Sequence, residues 1–417
     1  MKGSPVSQHF ENISSCLLNH LSDGVQKGEN QKKNLIRHAV NTTEFYRNIG
    51  VEGILEDFPV ISKSLIRSKR EAFISDVINE NERIPAITSG STGTPFKVFH
   101  DQNKKNRNTA DTLFFANRAG YEVGQRLIYL KIWAEEKMAS TLHYKLQNLV
   151  PVDVIKLDDE VITSLIAEIE KGTETYSILG YVSALESICK YLDRTHGRKI
   201  SANIASIITM SESLTPYVKE KMEFYFGTEV HSRYSNLENG ILAQQVPGSE
   251  GRFLINTASY IVEIMQMESD EPVKQGQPGR IVVTDLYNFA MPMIRYDTGD
   301  VGVLSNVSDP YGNLYLEKVE GRKLDLLYNT TGDVVSSYIM YKNMWKYTEI
   351  KQYQLIQEGQ REYIFKINID GNFDKEDQLI GEYKKYLGDD ANFKIEYVDE
   401  IPLLASGKRK KTVNNWK

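Results

Sequence analysis

Cysteine is nearly absent from this chain: Cys16 and Cys189 are the only two in 417 residues. Two thiols cannot build a disulfide framework or a Cys-ligated metal site. The seven histidines are scattered, with no pair at metal-ligand spacing. No apolar run approaches the ~20 residues that span a bilayer, and the N-terminus lacks the charged-then-apolar pattern of a signal peptide. Long basic blocks are missing too. With 50 Lys and Arg against 56 Asp and Glu, the formal net charge is -6. The one basic run, Lys408-Arg409-Lys410-Lys411, is too short for nucleic-acid binding, which needs clustered cations. These absences point away from a membrane and from nucleic acid. They leave a reduced, cytoplasmic, soluble enzyme or binding protein as the expectation.

What is present alternates. In the first eighty residues Leu35, Ile36, Ala39 and Val40 recur at helical spacing, Gly50 makes a stop, and Pro59 precedes a Ser62 or Ser64 cap. Strand, loop and strand follow across IPAITSGSTGTPFKVFH. A helix is expected from Asn103 to about Ala119 and a strand at 126–132. Helices at 159–171, 182–195 and 215–226 then alternate with strands at 176–179, 204–210 and 229–233, the signature of βαβ units and a largely parallel sheet. Residues 250–305 read as a β-rich subdomain. After Gly321-Arg322 the pattern restarts as a hairpin, a helix at 374–387 and a last strand, a unit of about 90 residues able to fold as a domain. The fold class is therefore α/β, with a large N-terminal part (1–322) and a small α+β C-terminal part (323–417).

Four segments carry chemistry. Thr88-Ser89-Gly90-Ser91-Thr92-Gly93-Thr94-Pro95 offers a backbone that turns tightly, with hydroxyls and N–H groups for phosphate oxygens. It lacks the G-x-x-x-x-G-K-[ST] spacing of P-loop NTPases and by itself could be a plain loop. In Tyr296-Asp297-Thr298-Gly299-Asp300 a carboxylate after a glycine turn suits ribose hydroxyls, or simply caps a turn. Arg322 in Gly321-Arg322-Lys323-Leu324-Asp325 could meet ribose or phosphate, or be a surface arginine at a linker. Lys408, in Ala405-Ser406-Gly407-Lys408, could be solvated or be delivered by a mobile domain to a charged transition state.

In order and spacing these segments resemble the adenylate-forming superfamily of acyl-CoA synthetases, adenylation domains and luciferases. TSGSTGTP is similar to its phosphate loop, YDTGD to its ribose turn, GR to its hinge and ASGK to its catalytic-lysine turn. Ser211-Glu212-Ser213 stands in the place of the adenine-flanking loop. Tyr234-Ser235-Asn236-Leu237-Glu238 stands in that of the aromatic-x-x-x-Glu motif. The opening EFYRNIG, the segment FPVISKSLIR and the short length resemble the phenylacetate–CoA ligase branch, including its relatives in capsular polysaccharide biosynthesis. Three departures from the family pattern occur. Phe96 stands between Pro95 and Lys97, Leu324 takes the first acidic place of the hinge, and Ser235-Asn236 replaces Gly-x.

The resemblance implies an acid–thiol ligase that activates a carboxylic acid with ATP and Mg²⁺, releases pyrophosphate and passes the acyl group to CoA or a carrier protein. Ser89, Gly90, Ser91, Thr92, Gly93 and Thr94 would hold phosphates, and Glu238 would hold magnesium. Ser211, Glu212, Ser213, Tyr234, Ser235 and Asn236 would lie along the nucleotide, and Asp300 and Arg322 at the ribose. Lys408 would contact the carboxylate and α-phosphate, and Trp133, Tyr181 and Tyr234 would line the acyl pocket, with His143 nearby. An amide- or ester-forming ligase acting on an amine or hydroxyl is the alternative, and a silent nucleotide-binding homologue the third reading. A homodimer is compatible with all three.

Overall fold

The computed structural model describes residues 3–18, 22–50, 53–88, 96–133, 141–195, 197–322, 327–335, 344, 347, 349–369, 371–402 and 410–416. Helices Pro5–Leu18 (α1), Ser22–Thr42 (α2), Glu44–Ile49 (α3) and Lys63–Ser68 (α4) open the chain. Gly50 ends α3 in the left-handed conformation that glycine adopts freely. The Ser62 hydroxyl starts α4 by accepting from Leu65 N. Strands Ile84–Thr88 (β1) and Phe96–His100 (β2) form an antiparallel hairpin, and Gln102–Arg118 (α5), capped by Asp101, follows.

The alternating units then appear in order: Arg126–Lys131 (β3), Thr141–Leu146 (α6), Leu149–Asp153 (β4), Asp159–Lys171 (α7), Thr175–Tyr181 (β5), Val182–Thr195 (α8), Asn203–Met210 (β6), Pro216–Phe226 (α9) and Val230–Asn236 (β7). Their apolar spacing explains their packing. Ile162, Ile166 and Ile169 of α7 recur at helical intervals and are buried with α8 and α9 on one face of the sheet. The helix α5 covers the other face, where Ala116 and Ala119 meet Leu179 and Ile208. The short pair α6 and β4 falls between the strand expected at 126–132 and the helix expected at 159–171, where the sequence suggests no element. Its five-residue strand, with Pro151 inside it, lies at the sheet's edge, where proline is tolerated.

Strands Gly240–Gln245 (β8), Phe253–Ile255 (β9), Tyr260–Met265 (β10), Pro278–Asp285 (β11), Tyr296–Leu304 (β12) and Tyr315–Arg322 (β13) follow. They extend the same sheet instead of standing apart, giving eleven strands in the order β10-β11-β12-β13-β9-β8-β7-β6-β5-β3-β4. The change of direction falls on β7, which runs parallel to β6 and antiparallel to β8. The C-terminal residues make a separate four-stranded sheet. It contains Ile350–Gln357 (β16), Glu362–Ile369 (β17), Asn392–Tyr397 (β18) and Thr412–Asn414 (β19), after two short strands Leu327–Tyr328 (β14) and Val334–Val335 (β15). Helix Glu376–Leu387 (α10) packs Leu379, Tyr383 and Leu387 on it, in a core shared with Leu355, Phe365 and Ile367. The strand β19, beside β16, joins a unit whose sequence shows only a hairpin, a helix and one further strand.

A buried ion pair fixes α5 against the antiparallel half. Lys104 Nζ and Asp285 Oδ2 are 2.7 Å apart with both side chains fully buried. The same ammonium donates to the Tyr260 hydroxyl at 3.0 Å, which donates to Asn239 O at 2.6 Å. Arg107 Nε reaches Ser259 Oγ one turn further along α5. Removing one partner of such a pair strands a charge in a dry interior. Lys104→Met should therefore lower unfolding free energy by about 3–5 kcal/mol in urea denaturation, and adding Asp285→Asn should recover part of that loss.

Candidate active site

Glu238 is where separate parts of the chain meet. Only 3% of it is exposed, so its carboxylate needs partners from the protein. Lys63 Nζ, from the first turn of α4, lies 2.9 Å from Oε1, and the Tyr296 hydroxyl donates to the same oxygen at 2.9 Å. Burial, then the Glu238 charge, pushes the Tyr296 phenol well above its ordinary value, so it stays a neutral donor. The α4 segment reaches this point because Ile61 bridges to the start of β12. Ile61 N donates to Arg295 O, and Asp297 N donates to Ile61 O, each at 2.9 Å.

The β1–β2 hairpin arrives at the same place. Thr88 pairs with Phe96, so both ends of the Gly/Ser/Thr segment are pinned side by side. Phe96 lies parallel to the Tyr296 ring, 6.4 Å between centroids, with the Lys63 ammonium 4.7 Å from its ring. His100 Nε2 donates to Glu238 O at 2.8 Å. Strand parity explains the insertion before Lys97. Phe96, Val98 and His100 face inward, and Lys97 turns the other way, over Phe99. Lys63, which sequence reasoning left out, brings the cation to Glu238 instead. Its only sequence signal is its place in FPVISKSLIR, directly after a helix cap.

Tyr234 and Asp300 form the second cluster. The Tyr234 hydroxyl donates to Asp300 Oδ2 at 2.8 Å and lies 3.3 Å from the Thr298 hydroxyl. The YDTGD segment is not a free turn, because it opens β12 with a bulge. Val282 pairs with Asp297 but Arg280 with Val301, so three residues stand opposite Ile281. Gly299, at φ +80°, supplies the left-handed residue this needs. Thr298 Oγ1 donates to Ile281 O and accepts from Asp300 N. Asp297 is engaged elsewhere, by Arg280 at 2.6 Å and by Gly299 N. Arg322, the last residue of β13, pairs in register with Asp300.

The remaining site positions sit at the carboxyl ends of the parallel strands, where α/β sheets bind ligands. After β6, Ser211 adopts φ +71°, which is uncommon for a residue with a side chain. Glu212 beside it turns back to α8, accepting from Ser183 N at 2.7 Å and Ser183 Oγ at 3.2 Å, and Ser213 is half-buried. Asn236 Oδ1 accepts from Asn239 N in the turn after β7, with Ser235 at a register shift. Trp133 follows β3, its Nε1 donating to Tyr129 O at 3.3 Å. Tyr181 ends β5, its hydroxyl held by the Ile132 backbone and its phenol pushed up by burial and then by Glu212. Ser89, Gly90, Ser91, Thr92, Gly93, Thr94, Leu324, Asp325 and Lys408 lie outside the described residues, as do the side chains of Arg322 and His143.

A family model for the CapK C-terminal domain matches residues 327–415. Protein CapK of Staphylococcus aureus is 23% identical over 376 residues, spanning 87% of this chain and 81% of CapK. 2-Hydroxyisobutyryl-CoA ligase, solved in the postadenylation state with 2-HIB-AMP, superposes with a TM-score of 0.73 at 15% identity. That match covers 94% of this chain and 90% of the ligase. The fold is that of the adenylate-forming ligases. The amide bond synthetase McbA of Marinactinospora thermotolerans shares it, with a TM-score of 0.56, 17% identity and coverage of 80% and 68%. The expected α/β architecture thus holds. Among the described residues no helix is long and apolar enough to cross a membrane, and no group of three or more His, Cys, Asp and Glu could hold a metal.

His100 makes the site's packing sensitive to acid. Burial, then the Lys104 ammonium, holds its imidazole below the ordinary value of about 6.5. The neutral ring stabilises the fold fully above pH 6.5, and that contribution is lost as pH falls toward the lowered folded value. His100→Gln keeps a donor for Glu238 O but removes the titration. Melting temperatures between pH 7 and 5 should fall less steeply in this variant than in the parent, and identical slopes would disprove the assignment.

Proposed function

We propose that this protein is an ATP-dependent, AMP-forming ligase that activates a carboxylic acid as its acyl-adenylate. The observation that carries this reading is the meeting of Glu238, Lys63 and Tyr296 beside the hairpin whose tip bears the Gly/Ser/Thr segment, with Tyr234 and Asp300 next to it. The chemistry sets an anion against an anion, since a carboxylate oxygen attacks the α-phosphorus of ATP as the bond to pyrophosphate breaks. Such a site must align the reactants and neutralise charge.

The roles follow from position and from resemblance to the family. Asp300, oriented by Tyr234, accepts the ribose hydroxyls, with Arg322 on the adjacent strand. Residues 89–94 hold the β- and γ-phosphates, and Ser211, Ser213, Ser235 and Asn236 flank the nucleotide. Glu212, occupied by Ser183, shapes that loop from behind. The donor set suits Mg²⁺, which binds through one or two carboxylates plus substrate phosphates and needs no cage of protein ligands. Glu238 would hold it, and it would screen the triphosphate charge. Lys63 holds the Glu238 carboxylate in place and adds a cation beside the phosphates. Lys408, in a C-terminal domain running from residue 323, contacts the carboxylate and α-phosphate, and Trp133 and Tyr181 line the acyl pocket. In the second half-reaction an acceptor thiol, of CoA or a carrier protein, attacks the acyl carbon, loses its proton and expels AMP. An amine or hydroxyl acceptor is the second reading, favoured by the shared fold with an amide bond synthetase and by Leu324 in the hinge.

ATP–pyrophosphate exchange with a panel of carboxylic acids tests the first step. Exchange with at least one acid is expected, and ATP binding without exchange for any acid would overturn the reading. Lys408→Ala should lower exchange about 10²–10³-fold without changing the melting temperature, and Lys63→Gln should lower it while raising the KM for ATP. Release of AMP from preformed adenylate by CoA, a carrier protein or an amine distinguishes the acceptors.

A further inference from the structure

The carboxyl ends of the parallel strands carry a row of side chains that adenylation as such does not require. Tyr181 pairs with Met210 across β5 and β6. Leu130 pairs with Gly180, so Lys131 stands level with Tyr181. Thr209 pairs with Ser232, so Arg233 stands level with Met210. One level below, Tyr129, Leu179, Ile208 and His231 are aligned on the same face. With Asp153 of β4 level with Lys131, the row reads Asp153, Lys131, Tyr181, Met210, Arg233; no acidic residue stands between the two cations, and the Asp153 carboxylate at the outer end caps the turn that follows β4 by accepting from Ile155 N.

Both cations are held in apolar and aromatic surroundings. Arg233 is 7% exposed. Its Nε donates to Gln244 Oε1 at 2.7 Å, Gln244 is tied in turn to Phe115 O, and Nη2 is buried with no acceptor among the described residues. Lys131 Nζ lies 4.7 Å from the Tyr129 ring and 4.2 Å from the Trp133 ring. The Tyr129 hydroxyl reaches Met210 Sδ at 3.9 Å, so this phenol spans the floor between the two cations. Burial alone depresses the Lys131 ammonium, and burial pushes the Arg233 guanidinium down to about 10 against the opposing pull of Tyr129. Glu212, the carboxylate near Tyr181, is taken by Ser183. A buried guanidinium with an open N–H is costly unless an anion completes it.

We propose that the acid activated here carries a second anionic group, a carboxylate or phosphate, bound by Arg233 with Lys131 at the far side of the acyl pocket. This rests on the adenylating role for the function of the pocket, but the anion site itself can be read by binding. Titration calorimetry with succinate and glutarate, with their monoamides succinamate and glutaramate, and with phosphonoacetate against acetate separates the two sources of anion. In the parent protein at least one dianion should bind about 30-fold or more tighter than its monoanionic counterpart. Arg233→Met should bring that ratio to within about threefold, and Arg233→Lys should keep an intermediate ratio. Reading a ratio keeps the test valid if Arg233→Met lowers stability, and Arg233→Lys keeps the charge if Arg233→Met does not fold. Equal binding within the pairs, no binding by any probe, or a ratio unchanged in Arg233→Met overturns the proposal. A dianion preference lost in Arg233→Met, alongside no pyrophosphate exchange with any acid, would keep the anion site and discard the adenylating role.

Discussion

A carboxylate that is almost wholly buried cannot stand alone, and the rest of the site follows from how Glu238 is satisfied. Removing an unpaired carboxylate from water costs several kcal/mol, so the fold must supply a cation and a donor together. Here the cation comes from α4 near residue 63, the donor from the start of β12 near residue 296, and the backbone partner from the end of β2 at His100. Segments up to about 230 residues apart in sequence are held at one oxygen or its neighbouring carbonyl. The hairpin bearing the Gly/Ser/Thr segment is thereby docked by the same contacts that satisfy the charge. Stability and function are joined at this point, because loosening any of the three would free both the carboxylate and the hairpin.

The sheet explains why these clusters lie where they do. A parallel arrangement brings the loops after β5, β6 and β7 to one edge, while the antiparallel half brings the β12 bulge back toward it. The handover occurs within β7, which leaves β6 after Ser232 and pairs with β8 from Arg233 onward. A strand that changes partners opens a crevice at its end, the place where α/β sheets admit ligands. Ser211 after β6 and Gly299 in β12 both take left-handed conformations that redirect the chain.

Much of this was legible in the sequence because the signals were local. The helices α7 and α8 show their apolar stripes, β5 and β6 their short apolar runs, and Gly50 and Ser62 their capping roles. The candidate site was legible in part, through segments whose residue types suit phosphate or ribose. What could not be read was long-range. Nothing in KSLIRS says that its lysine crosses the fold to meet Glu238, and nothing near residue 240 says that β8 will carry the antiparallel half onto the parallel one. YDTGD read as a turn because Gly and Asp favour turns, whereas tertiary pairing with β11 and β13 made it a bulged strand. Phe96 stands where the resemblance would place a lysine, and strand parity turns the next residue, Lys97, away from Glu238.

Strand parity would also let one element serve both reactants of the proposed adenylation. Consecutive residues of β7 point to opposite faces, so Tyr234 reaches Asp300 on the antiparallel side while Arg233 reaches the aromatic floor beneath α5. On the proposed roles, a nucleotide bound by the first and an acid bound by the second would meet beyond the strand's end, over Ser235 and Asn236. There the register shifts and the backbone no longer separates the two faces. In that arrangement a small or turn-forming residue would be needed there, to leave space for the two reactants. Ser235 and Asn236, in place of the glycine-containing pair commoner in adenylate-forming ligases, would meet this requirement differently. Asn236 spends its side-chain oxygen on the Asn239 amide, which folds it into the turn and leaves the strand end clear.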